Sequence, residues 1–121
     1  MRILVYGTEK FDDYSTFMRG LVVAIDDNTN PSDTKIEVFT AGPHKLNNFT
    51  AEFINKTEGF FKQKNIKTRF TRVKKSDIID KFEDYDFDHI VSFGSKSDQR
   101  FFDTILDKAE TNNISASYYK I

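Results

Sequence analysis

The chain has 121 residues, enough for one domain with one buried core, and it contains no cysteine, which excludes disulfides, thiolate metal sites and a cysteine nucleophile. Eighteen Lys and Arg against nineteen Asp and Glu give a formal charge of −1. The cations read as spread along the chain, so no footprint for nucleic acid is expected. The apolar run at the N-terminus lasts only a few residues before Glu9, Lys10, Asp12 and Asp13. That is far short of a signal-peptide core or a membrane span, so no membrane association and a cytoplasmic, soluble protein are expected.

In chain order, Arg2 to Tyr6 is a continuously apolar strand of the kind covered on both faces in a parallel sheet. Phe11, Tyr14, Phe17, Met18, Leu21, Val22 and Ile25 then recur at spacings of three and four, the inward face of a helix. Asp26 to Asp33 carries turn residues and ends it. "KIEVFT" is the second strand, and Thr40 to Asn48 a loop in which Asn47 or Asn48 caps a helix carrying Phe49, Phe53, Phe60 and Phe61. "IKTRFT" is polar and therefore an edge strand. "KKSDIIDKFEDY" is a short helix starting near Ser76 or Asp77. Asp88 to Phe93 is a second strongly apolar strand. Gly94 to Ser97 turns into a helix with Phe101, Phe102, Ile105, Leu106 and Ala109 on one side, and "SASYYKI" closes the chain as a second polar edge.

Strands alternating with helices predict a single α/β domain, Rossmann-like and three-layered, spanning residues 1–121. The apolar first and fourth strands belong in the centre and the polar third and fifth at the edges, which gives a mostly parallel five-stranded sheet of order 3-2-1-4-5. A ligand is then expected above the C-terminal ends of strands one and four, where the order reverses. The loops Gly7 to Lys10, Thr40 to Asn48 and Gly94 to Asp98 meet there. Most of the thirteen Phe and five Tyr read as core.

The opening "MRILVYGTEKFDDY", the stretch "VFTAGPHKLNNFTAEFINKTEGFFK" and the closing "DHIVSFGSKSDQRFFDTILDKAETNNISASYY" resemble, in order and pattern, the three loop-bearing segments of the SLOG superfamily, Rossmann-like domains that include the LOG phosphoribohydrolases and the DNA-processing protein A fold. The resemblance spans nearly the whole chain and implies a ligand-binding fold. Its departures are specific. Glu9 stands where the family usually has Arg, the second loop keeps only Gly42, Asn47 takes roughly the position of an Asp, and the Gly-Thr-x-x-Glu motif of the hydrolases is missing. The resemblance therefore argues against that hydrolase activity. No catalytic residue, metal ligand or cofactor is assigned.

Gly7 and Thr8 are the first candidates for phosphate contact, because glycine lets the backbone approach an anion and a following helix offers free N–H groups. A tight turn alone explains them equally well. Gly94, Ser95, Lys96 and Ser97 form a cradle of small residues with two hydroxyls and one cation, although capping a helix is the commoner role of such serines. Glu9 and Asp98 oppose the charge of Lys10, Lys45, Lys96 and Arg100, which favours a nucleoside, a monophosphate or an ADP-ribose-like ligand over a triphosphate. His44 and Asn47 are candidates for sugar or base contacts. His89 beside Asp86 and Asp88 invites a metal reading, but its neighbours point to alternate faces and no spaced partner exists.

Two functions follow, with a nucleotide N-glycosidase or phosphoribohydrolase using Asp98 or Glu9 as a weaker third. One is a non-enzymatic sensor or sequestering protein for a nucleotide-derived small molecule, bound at Gly7, Thr8, Glu9, Gly42, His44, Asn47, Gly94, Ser95, Lys96 and Ser97. The other is a protein-interaction module that kept the fold and lost the ligand, using a surplus aromatic such as Phe60 or Phe61 on its surface. A homodimer is left open. The Asn-, Lys-, Asp- and Phe-rich composition resembles that of products of AT-rich genomes such as phages, an association that suits a host-takeover or anti-defence role in the host cytoplasm.

Overall fold

Ile3, Leu4 and Val5 have no polar face to give to water, and the structure surrounds them with other strands and helices. The computed structural model describes residues 1–94 and 99–120. It forms β1 (Arg2–Gly7), α1 (Tyr14–Asn28), β2 (Lys35–Thr40), α2 (His44–Gln63), β3 (Lys67–Arg72), α3 (Lys75–Asp80), α4 (Phe82–Tyr85), β4 (His89–Gly94), α5 (Gln99–Thr111) and β5 (Ser115–Lys120). The strands make one sheet of order β3-β2-β1-β4-β5, every neighbouring pair parallel. This is the predicted Rossmann-like order, with the two polar strands at the edges.

The alternation of side chains along β1 divides the core in two. Ile3 and Val5 join Phe17, Leu21 and Ile25 of α1 and Leu46, Phe53 and Phe61 of α2 on one face. Leu4 and Tyr6 join Ile78, Phe82, Phe101, Ile105 and Ala109 of α3, α4 and α5 on the other. Fully burying such a side chain contributes about 1.5–3 kcal/mol, so both faces of the sheet are needed to stabilise the chain. On the first face Phe93 lies between Phe11 (4.7 Å between ring centres) and Tyr119 (5.2 Å), stacked on both. Gly20 of α1 rests on this stack: a Cβ there would meet Phe93 Cζ at 2.9 Å and Tyr119 Cε2 at 3.0 Å.

Three expectations need correcting. Met18 and Val22 are exposed rather than inward, because α1 already fills its contact with the sheet through Phe17, Gly20, Leu21, Ala24 and Ile25. The second helix begins at His44, not after Asn48, and neither asparagine caps it: Pro43 is its N-cap, with no side-chain cap hydrogen bond. Asn47 is used differently. Thr40 Oγ1 accepts from the Gly42 N–H (3.1 Å) and donates to Asn47 Oδ1 (3.1 Å), so the end of β2 is tied to the first turn of α2. Of the paired aromatics on α2, Phe61 is buried and Phe60 is the exposed one, with the Lys64 ammonium over its ring.

Candidate functional site

In a parallel sheet every strand-to-helix connection leaves at the same end, and the structure brings the connections after β1, β2 and β3 around one cleft of about 470 Å³. Gly7, Thr8, Glu9 and Lys10 line it from β1, Ala41 and Pro43 from β2, and Lys75 from the start of α3. Of the candidate residues, Gly7, Thr8 and Glu9 line this cleft. Gly42, His44 and Asn47 are close by in sequence but do not line it: Gly42 is buried, His44 is exposed at the start of α2, and Asn47 serves Thr40. Gly94 ends β4 beside Thr8, whereas Ser95, Lys96 and Ser97 lie outside the described residues.

Two of the three loop glycines have reasons of their own. A Cβ on Gly7 would lie 2.5 Å from the Phe93 carbonyl oxygen, so only glycine lets β1 approach β4 there. Gly42 has φ +91°, a conformation that L side chains rarely adopt, and it precedes Pro43 through a cis peptide bond. Gly94 differs: an added Cβ would meet Thr8 Cγ2 at an ordinary 3.5 Å, so packing does not require glycine at that position.

The electrostatics of the helix ends favour α2 over α1. Asp13 caps α1, its Oδ1 accepting from the Thr16 N–H (3.2 Å) and its Oδ2 from the Thr16 hydroxyl (2.7 Å). These bonds, the side-chain one foremost, hold its carboxyl below the usual carboxylate range. An anion at that helix end would meet a carboxylate already in place. The first turn of α2 has no such cap, and its N-cap residue Pro43 forms a wall of the cleft. Lys45 is occupied, its Nζ lying 3.1 Å from Asp12 Oδ1. Among the described residues Lys10 and Lys75 line the cleft, the Lys75 ammonium lying 5.0 Å from the Phe101 ring centre, and Glu9 opposes their charge. Thr8 anchors the β1 loop by donating its N–H to Phe93 O (3.0 Å) and accepting from the Phe11 N–H (3.2 Å). Its hydroxyl is buried and has no hydrogen-bond partner among the described residues, an arrangement that costs about 1–3 kcal/mol unless a partner is supplied.

Lys75 is the residue that sequence reasoning missed. Its signal was present: once the sheet is parallel, the "VKKSD" connection after the third strand must leave at the same end as the others. His89, by contrast, belongs to no site. It is buried on β4 with Nδ1 2.6 Å from Ser115 Oγ and Nε2 2.9 Å from Ser117 Oγ, and burial pushes its pKa below 6.5 while Asp27 opposes this. Among the described residues no three His, Asp or Glu side chains are grouped to hold a metal ion, and no helix is long and apolar enough to cross a membrane. Neither a protein-family model nor a curated protein sequence matches the chain.

Proposed function

We propose that this chain binds a nucleotide-derived small molecule in the cleft above β1 and β2, as a cytoplasmic sensor or sequestering protein of the SLOG-like, Rossmann type. The observation that carries the reading is the cleft itself. Its volume of about 470 Å³ falls in the range of roughly 300–1,000 Å³ usual for small-molecule sites. It also lies at the carboxyl ends of parallel strands, where such folds place ligands. Lys10 and Lys75 would supply charge for a phosphate, and Glu9 would select against dense negative charge.

A thermal-shift screen of the full chain against nucleotides, ADP-ribose, NAD and cyclic nucleotides tests this. A ligand at a hundred times its Kd adds about 2.7 kcal/mol to stability and raises the melting temperature. Lys75→Ala should cut that shift and its salt dependence. If no compound in the panel raises the melting temperature, the ligand reading fails. A second reading, a protein-interaction module, is favoured by Met18, Val22 and Phe60, which are 40–56 % exposed without an obligation to the core.

A further inference from the structure

The near-zero net charge conceals a local imbalance. Between Glu58 and Asp77 there is no acidic residue, while Lys62, Lys64, Lys67, Arg69, Arg72 and Lys74 supply six cations besides Lys75, which lines the cleft. The structure places this stretch along one edge of the sheet, with β3 at its centre. We propose that the free edge of β3 is a docking strand for an extended segment of another protein in which carboxylate side chains alternate with apolar β-branched ones. The proposal is independent of the cleft and of its ligand.

The backbone provides the first argument. Lys67 N–H donates to Thr34 O and Val73 N–H to Thr40 O, each at 2.9 Å, which fixes the odd-numbered residues of β3 as those facing β2. The N–H and C=O groups of Thr68, Phe70 and Arg72 therefore point away from the sheet, a row of donors and acceptors able to pair with a further strand.

Charge provides the second. Lys67 is in register with Lys35, and Arg69 with Glu37. Glu37 is already shared, its Oε1 lying 3.1 Å from Lys35 Nζ and 3.7 Å from Arg2 Nε. Four cations thus surround one carboxylate on this side of the sheet, and Lys35 opposite Lys67 is a like-charge pair that an adjoining carboxylate would relieve. The opposite face of β3 is different in kind. Thr68 and Phe70 are half-buried, the Arg72 guanidinium lies 5.9 Å from the Phe70 ring centre, and the Thr68 hydroxyl is buried with no hydrogen-bond partner. Thr68 and Ile66 also line a groove of about 560 Å³, together with Asn65, Glu58, Lys62 and Lys67. A strand added beside β3 would set alternate side chains beside Lys67 and Arg69 on one face and beside Thr68 and Phe70 on the other. Hence the alternation of acid and apolar residue.

The same observations disfavour other occupants. Single-stranded nucleic acid would use the cations but not the outward carbonyls, and the Phe70 ring already carries Arg72. A second copy of β3 would bring three cations against three. Lysine-rich edges do protect sheets from pairing with themselves, and a carboxylate-bearing strand is the partner that such an edge still admits.

The test is fluorescence anisotropy of the full chain with a labelled peptide of about ten residues alternating Glu and Val. Saturable binding is expected, weakened roughly tenfold or more by the Lys67→Glu, Arg69→Glu double variant at unchanged melting temperature, and weakened by salt. A peptide of the same charge, N-methylated at the backbone positions that would pair with β3, should lose binding to a similar degree. That comparison uses the unaltered protein and decides the matter even if the charge reversal fails to fold. Equal binding of the N-methylated peptide would show charge attraction without strand pairing and overturn the proposal. So would binding of oligothymidylate in place of the peptide, which would make the edge a nucleic-acid face, or no binding at all, which would leave the cations as a guard against aggregation only.

Discussion

His89 shows how little a residue type says before its surroundings are known. Beside Asp86 and Asp88 in the sequence it invites a metal, yet on β4 its ring reaches across to two serine hydroxyls of β5 and is cut off from water. Burial is the main cause of its lowered pKa, which sets the sign of its effect. The unfolded chain takes up the proton at higher pH than the folded one, so the contribution of His89 is fully present above about pH 6.5 and is lost as pH falls through the lower folded value. Melting curves between about pH 7.5 and 5 should show stability falling with acid, and the His89→Gln variant should fall less steeply over that interval. Parallel curves for the two proteins would mean that the imidazole is not held neutral by the fold.

At the scale of elements, the two helical glycines Gly20 and Gly59 make a matched pair. Helix propensity alone favours Ala over Gly at both by about 1 kcal/mol. Gly59 is exposed on α2 with nothing within 4 Å of an added Cβ, so Gly59→Ala should raise stability by up to that amount. Gly20 presses on Phe93, whose ring is fully buried and held between Phe11 and Tyr119 and so has no room to swing aside. Overpacking there costs about 1–3 kcal/mol and outweighs the propensity gain, so Gly20→Ala should destabilise. Chemical denaturation of both variants checks the contrast, and a stabilised Gly20→Ala protein would show that α1 can shift outward at no cost. Nothing in the sequence separates these two positions, since each is a glycine within a helical pattern.

For the whole molecule, the division of the core by the sheet has an energetic consequence. Ile25 of α1 and Ile105 of α5 belong to opposite clusters. Replacing either with Val should cost about 0.5–1.5 kcal/mol. The double variant should cost the sum to within about 0.5 kcal/mol, as for sites with no shared partners. A larger coupling in a double-mutant cycle would mean that a change on one face repacks the other through the sheet.

The sequence by itself determined the element order, the parallel sheet and the placing of β1 and β4 inside and β3 and β5 outside, because these depend on local periodicity and on which strands have a polar face to expose. It also pointed to Gly7, Thr8 and Glu9 as lying at the carboxyl end of the sheet, since a parallel sheet directs that loop there whatever the packing. Only the tertiary structure decided which neighbours completed the cleft. Lys75 enters from a loop far along the chain, and Lys45 is withdrawn by Asp12, which meets it only through folding. The structure also gave reasons for two glycines, a carbonyl 2.5 Å from a would-be Cβ at Gly7 and a positive φ at Gly42. It likewise turned a scatter of cations into the flank of one edge strand, with register setting Lys67 beside Lys35 and Arg69 beside Glu37. Periodicity is a property of neighbours in sequence; contacts and charge fields are properties of neighbours in space, and these exist only once the strands have found their partners.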